Sequence, residues 1–269
     1  MSETNDSFAL SMVCLGDKPK ISPSAITKDL TNSWRDFPRL GQVEKGGKGQ
    51  VSFDIGQDTL AILQLNGTPI PWSDLEGPCA TSAIWPDAAK VLKQHTAHML
   101  VTLMFKSAMH PVERSNLLTQ VTSAVAETTD AALGVYWSNA TLVVQPKVFR
   151  QFALRVLPQG PPIPIWVDFR IGPNEDGKMA GFTHGMKALG LMELETETSP
   201  ESAEELHGRF EGLIEYLLEN GPVIKDGDTV GENAKERIKV NYADSSFGHE
   251  GQVMRLDYQP LKRGWFSRG

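Results

Sequence analysis

Six residues between positions 168 and 195 have the side-chain types from which a polar site is built: Asp168, Arg170, Thr183, His184, Glu193 and Glu195. A histidine near carboxylates suits acid–base chemistry, with His184 moving a proton and the carboxylates in support. Alternate residues of a strand share a face. A strand over 165–171 therefore puts Trp166, Asp168 and Arg170 on one side, and Val167, Phe169 and Ile171 on the other. A strand over 191–196 likewise separates Glu193 and Glu195 from Met192 and Leu194. Thr183, His184 and Gly185 fall on an irregular stretch, 181–190, between the two. If both strands share a sheet, the four charges gather on its open face. The same residues also fit a plain solvated face on which Arg170 pairs with a glutamate, worth ~0–1 kcal/mol at a surface. We favour the solvated face and keep a small-molecule enzyme using Asp168, Arg170, His184, Glu193 and Glu195 as the alternative.

Other spacings carry less. Gly41 to Gly49 resembles a phosphate loop, but five residues separate Gly41 from Gly47-Lys48, and Gly49 stands where the hydroxyl should be. A flexible surface loop is the simpler account. His95 and His98 make an HxxH at a helix end and a strand start, without the third and fourth ligands that zinc needs. No metal and no cofactor is expected. There is no Gly-x-Ser-x-Gly, so the hydrolase elbow is missing. Cys14 and Cys79 are not in a CxxC; they fit buried structural thiols in a reducing cytosol, with one disulfide left open.

The elements that must position these residues alternate between strands and helices. Strands are expected at 8–15, 51–55, 59–65, 99–105, 133–137, 141–144, 165–171, 191–196, 237–243 and 252–259. Ser22-Pro23, Pro86, Pro111 and Pro146 open helices, and 66–78 reads as a Pro/Gly-rich connection. Ser199-Pro200 opens the clearest helix, which carries Glu201, Glu204 and Glu205 where the helix dipole favours acids. Its apolar stripe is Leu206, Phe210, Leu213, Ile214 and Leu217, and it stops at Asn220-Gly221-Pro222. Strands in hairpin pairs point to an α+β fold with largely antiparallel sheets and packed helices. The order of elements suggests two ferredoxin-like halves, 1–160 and 161–269, joined by the Pro-rich connection 158–164 or packed as one domain.

The chain has 269 residues, 26 Lys and Arg against 33 Asp and Glu, and a formal charge of −7. That balance argues against nonspecific nucleic-acid binding, which needs a basic footprint. The N-terminus is acidic where a signal peptide is basic, and no apolar run approaches the about 20 residues of a membrane span. A cytoplasmic protein is expected. Nine glutamates lie between 193 and 219 with only Arg209 opposing them, while 262–268 form a basic-aromatic tail.

The segments W-V-D-F-R-I (166–171), T-H-G-M-K-A-L-G-L-M-E-L-E (183–195), D-G-D-T-V-G (226–231) and I-K-V-N-Y (238–242) resemble the bacterial domain-of-unknown-function family 4261. The resemblance spans roughly residues 90–260 and is strongest after 163. It implies a compact α+β domain and brings no catalytic residues. Gly185 and Gly190 fit turns with unusual dihedrals, and Asp226-Gly227-Asp228 fits a turn whose aspartates bond local amides. Together these features suggest a bacterial protein-binding or regulatory protein without catalytic activity. Its partner would be another, basic protein, as for an immunity-type protein that neutralises a toxin through an acidic surface around Asp168, Arg170, Thr183, His184, Glu193, Glu195, Glu201, Glu204 and Glu205. A structural assembly adaptor with an apolar surface patch is the second alternative.

Overall fold

A computed structural model describes residues 7–17, 19–231 and 237–258. The basic-aromatic tail at 262–268 lies outside the described residues. Two compact units emerge, one of residues 1–168 with 184–190, the other of 169–183 with 191–269. Both are α+β with mostly antiparallel sheets.

The first unit holds β1 (Phe8–Leu15), α1 (Pro23–Ser33), β2 (Glu44–Lys45), β3 (Gln50–Ile55), β4 (Thr59–Asn66), α2 (Trp72–Thr81), α3 (Ala88–Leu92), β5 (Ala97–Phe105), α4 (Pro111–Glu127), β6 (Ala132–Trp137), β7 (Leu142–Val144), α5 (Pro146–Gln151) and α6 (Ile163–Trp166). Its sheet runs β2-β3-β4-β5-β1-β6-β7. The β3–β4 hairpin turns at Gly56-Gln57-Asp58, where Gly56 takes a positive φ. Ser22 caps α1 by accepting from the Ala25 amide at 3.3 Å, with Pro23 in the first turn. Met99, Val101, Leu103 and Phe105 bury one face of β5, and α4 adds Leu118, Val121 and Val125 to the core. Polar groups buried with them are bonded: the Trp166 indole donates to Thr119 Oγ1 at 2.8 Å, and Ser11 meets Thr122 at 2.6 Å.

The order is not ferredoxin-like. There β1 would lie between the second hairpin strand and the strand after the second helix; here β5 separates β1 from the β3–β4 hairpin, and β1 lies antiparallel between β5 and β6. The stretch 66–78 is not a plain connection either, since α2 occupies much of it with Pro78 inside the helix. Leu75 and Cys79, four residues apart, join Cys14, Trp85 and Leu92 in one apolar cluster, and that burial outweighs the proline. Ile165 and Trp166 belong to α6 instead of a strand, because Pro162 and Pro164 favour a helical first turn. Burial also pushes the Cys14 thiol up to about 12 and the Cys79 thiol up to about 11, so both stay protonated.

The second unit holds β8 (Asp168–Pro173), whose first residue belongs to the first unit, then β9 (Met179–His184), β10 (Leu194–Ser199), α7 (Ala203–Asn220), β11 (Thr229–Val230), β12 (Ile238–Asp244) and β13 (Gln252–Tyr258). The sheet order is β11-β12-β13-β10-β9-β8, with β10 and β13 parallel. Residues 179–184 are therefore strand, and Met186–Leu189 form a short 3-10 helix between Gly185 and Gly190. Gly185 takes φ +121, and a Cβ there would fall 2.4 Å from the Trp166 carbonyl oxygen. The 226–228 turn forms as expected at Asp228, which accepts from the Lys225 amide at 2.7 Å; Asp226 instead accepts from Tyr242 N at 2.8 Å.

Two features of the first unit give measurable consequences. Arg150 donates bidentately to Asp29 at 2.7 and 2.9 Å, bonds Ser33 and Ser123, and covers the Trp34 ring, joining α1, α4 and α5. Arg150→Met strands the Asp29 charge and should cost about 3–5 kcal/mol in urea denaturation. His95 accepts from Ile70 N at 2.8 Å, while His98 faces Thr68 O at 2.8 Å and Asn66 Nδ2 at 3.0 Å, so the HxxH anchors the 66–70 loop. Burial lowers the His98 pKa, against the opposing Thr68 carbonyl. Its folded value is thus below the unfolded one. Its contribution is intact above about pH 6.5 and is lost as pH falls from there towards the depressed folded value. Unfolding free energy should drop over that window, and His98→Gln should reduce the drop.

Candidate functional site

The two units divide the residues singled out by sequence. Asp168 and His184 belong to the first; Arg170, Thr183, Glu193, Glu195, Glu201, Glu204 and Glu205 belong to the second. Asp168 is buried, and Arg170 and His184 are half-buried. Within the second unit, Thr183 and Glu195 lie near the ends of two paired strands, β9 and β10, and Glu193 directly precedes β10.

Thr183 Oγ1 donates to Glu193 Oε2 at 2.8 Å and accepts from Leu194 N at 2.8 Å. This one hydroxyl fixes the entry to β10. Glu195 follows, fully buried. Its carboxylate accepts from the Ser245 hydroxyl and from Ser246 N, the latter at 3.0 Å. His249 Nε2 stands 4.0 Å from Glu195 Oε1. These partners come from the 245–251 loop joining β12 to β13, Ser-Ser-Phe-Gly-His-Glu-Gly. The loop is folded on itself, since Ser245 Oγ also accepts from Phe247 N and His249 N, both at 3.0 Å. Gly248 and Gly251 supply positive φ. Phe247 stacks on Phe182 at 4.9 Å, and His249 meets the same ring edge-on at 5.3 Å. Arg255 extends the network, reaching Asp244 O at 2.6 Å, Ser246 Oγ at 2.9 Å and Glu197 at 3.3 Å.

Glu193 and Glu195 therefore do not lie on an open face. β10 runs between β13 and β9, and the 245–251 loop folds over the Glu195 carboxylate, so Leu194, Glu195 and Thr196 are all buried. Simple alternation misled because it assumes one wet face, and an interior strand need not have one. Ser245, Ser246, His249 and Arg255 were not singled out from sequence. The signal for them was the Ser-Ser start and paired glycines of a seven-residue loop between two strands.

The remaining glutamates sit at α7. Glu201 lies just before the helix and accepts from Arg209 Nε at 2.6 Å and from the Tyr258 hydroxyl. Burial and the Glu201 hydrogen bond together push the Tyr258 phenol up. The helix begins at Ser202, not Ser199, because Ser202 and Glu205 form a reciprocal capping box at 3.3 and 2.8 Å. The Ser202 backbone amide holds the Glu205 carboxyl below the usual range. Ser199 instead accepts from Glu201 N at 3.1 Å.

At 3.6 residues per turn, Glu204, Gly208, Glu211, Gly212, Glu215 and Glu219 share one face of α7, opposite Leu206, Phe210, Ile214 and Leu217. Glu204, Glu215 and Glu219 are exposed, Glu211 is half-buried, and Tyr216 on the flank is 48% exposed. A Cβ at Gly208 or Gly212 would meet nothing within 4 Å among the described residues. Arg209 is turned to Glu201. The helix thus presents acid and a shallow, side-chain-free strip.

Among the described residues, no group of three or more His, Cys, Asp and Glu is placed to hold a metal ion. No helix among them is long and apolar enough to cross a membrane.

Glu195→Gln keeps one acceptor but turns an amide donor towards the Ser245 and Ser246 donors. It should cost about 1–3 kcal/mol in chemical denaturation. The accompanying signature is faster amide hydrogen exchange at Ser246, Phe247 and His249, with β12 and β13 unchanged.

No curated protein and no solved structure matches the chain. Residues 182–257, which carry Thr183, Glu193, Glu195, all of α7 and the 245–251 loop, match a family model described as a domain of unknown function (DUF4261).

Proposed function

We propose that the second unit is a protein-binding module, without catalytic activity of its own, whose outward α7 face recognises a basic protein surface. The carrying observation is that this face is poorer for helix stability than it needs to be. Gly208 and Gly212 each cost about 1 kcal/mol relative to alanine in a helix interior. Glu211–Glu215 and Glu215–Glu219 are like-charge pairs one turn apart, each unfavourable by about 0.2–0.5 kcal/mol. Glu215 and Glu219 also oppose the dipole at the helix C-terminus. No described residue packs against the glycines to offset these costs. A basic partner would offset all of them: its cations neutralise the glutamates, and the glycine strip admits its backbone or a flat side chain next to Tyr216.

The buried carboxylates support the same division of labour. Glu193, Glu195 and Glu201 are bonded by Thr183, by Ser245 and Ser246, and by Arg209 and Tyr258. An enzyme using Glu195 would first have to exchange those donors for substrate. An immunity-type role, in which the acidic face covers a basic toxin, is the specific form of the proposal, since complementary charge speeds association and selects the partner.

Affinity capture at low salt tests this with the wild-type chain and with Glu204→Lys/Glu215→Lys/Glu219→Lys. The wild type should retain a basic protein, release it as salt rises, and lose it on charge reversal while remaining folded by circular dichroism. Equal retention by the reversed variant, or no retained basic protein at low salt, would refute the proposal.

A further inference from the structure

We infer that Asn220-Gly221, at the exit of α7, is a site of spontaneous covalent modification: intramolecular deamidation, which converts Asn220 to aspartate or isoaspartate. Asparagine is a chemically labile residue, and a following glycine brings no Cβ to crowd attack on its side chain. The Gly221 backbone nitrogen, deprotonated by hydroxide, bonds to Asn220 Cγ. The Cγ–Nδ2 bond breaks and ammonia leaves, which closes a succinimide ring. Water then adds to one of the two ring carbonyls. Cleavage of the new Cγ–N bond yields aspartate; cleavage of the original peptide bond yields isoaspartate, whose main chain runs through the side chain.

The sequence holds two Asn-Gly steps, at 66–67 and 220–221, and the structure separates them. Asn220 is the last residue of α7 and is exposed, with its Nδ2 donating to Tyr216 O at 2.9 Å. Gly221 already leaves the helix at φ +78, and a Cβ placed on it would meet nothing within 4 Å among the described residues. Helix ends open locally at little cost, and ring closure needs only that last turn to open. Asn66 is clamped instead. It is half-buried at the end of β4, opposite His98 of β5. One neutral imidazole spans the Gly67 step: His98 Nε2 accepts from Asn66 Nδ2 at 3.0 Å, and Nδ1 donates to Thr68 O at 2.8 Å. Both sides of Gly67 are thereby held, so ring closure there must first break the bridge.

Modification puts a carboxylate where the Asn220 amide donated. It adds one negative charge to the −7 of the chain, next to Glu219 and one turn from Tyr216, against the negative end of the helix dipole. The Tyr216 carbonyl loses its side-chain donor. The last turn of α7 therefore loosens as the protein ages. The chemistry does not rest on the recognition proposed for α7, and either can fail alone.

Peptide mass spectrometry tests this on the full chain, held at mildly alkaline pH and digested at intervals, by reading the amide-to-acid mass gain and resolving isoaspartate from aspartate. In the native chain the peptide with Asn220 should convert about tenfold or more faster than the peptide with Asn66, because the second must first open its strand end. In denaturant, where only the shared Asn-Gly sequence acts, the two rates should converge. His98→Ala should speed conversion at Asn66 and leave Asn220 unchanged. Asn220→Asp, the product itself, should show faster amide hydrogen exchange in the last turn of α7 than the wild type. Equal rates at the two steps in the native chain, or an Asn220 that keeps its amide there while converting in denaturant, overturns the inference.

Discussion

A buried carboxylate must be matched by hydrogen-bond donors, and the second unit is arranged around that requirement at Glu195. Leaving the Glu195 charge dry and unpaired would cost several kcal/mol. The 245–251 loop meets the demand with the Ser245 hydroxyl and the Ser246 amide, and sets the His249 ring 4.0 Å away. Much else follows from that choice. The loop must fold on itself, which requires the Gly248 and Gly251 turns. Phe247 is drawn over Phe182, and Arg255 bridges to Glu197. Thr183 performs the same service one residue pair earlier, holding Glu193 and the Leu194 amide together.

The glutamate-rich stretch from 193 to 219 is therefore two populations. Glu193, Glu195 and Glu201 face inward and join β9, β10, β13 and the start of α7. Glu204, Glu215 and Glu219 face outward on a helix whose burial is complete on its other side. The inward group explains how the fold closes. The outward group, with Gly208 and Gly212, lowers helix stability, which is the physical ground on which we propose a recognition role for it.

Elements marked by strong local chemistry were legible in the sequence. β1, the β3–β4 hairpin, α1 behind Ser22-Pro23, α4 behind Pro111 and the α7 stop at Gly221 all follow from caps, prolines and alternation. Elements decided by tertiary burial were not. α2 forms despite Pro78 because Leu75 and Cys79 enter a shared cluster, and Trp166 is helical despite a strand-like neighbourhood. The site was half legible. The Thr183–Glu193 bond joins two of the residue types read from sequence, but the burial of Glu195 was not visible, because the covering loop lies fifty residues downstream. The capping box shows a finer limit: Ser199-Pro200 and Ser202-x-x-Glu205 are both plausible starts, and only the reciprocal bonds of the second decide.

The division between inward and outward carboxylates is the central claim, and carboxyl footprinting reads both halves at once. Carbodiimide-coupled labelling of the native chain, read by mass spectrometry, should modify Glu204, Glu215 and Glu219 readily. Glu193 and Glu195 should stay unmodified until denaturant is added, and the α7 glutamates should become protected when a captured basic partner is present. Labelling of Glu195 in the native chain at the rate of Glu215, or undiminished labelling of α7 in the complex, would contradict the account.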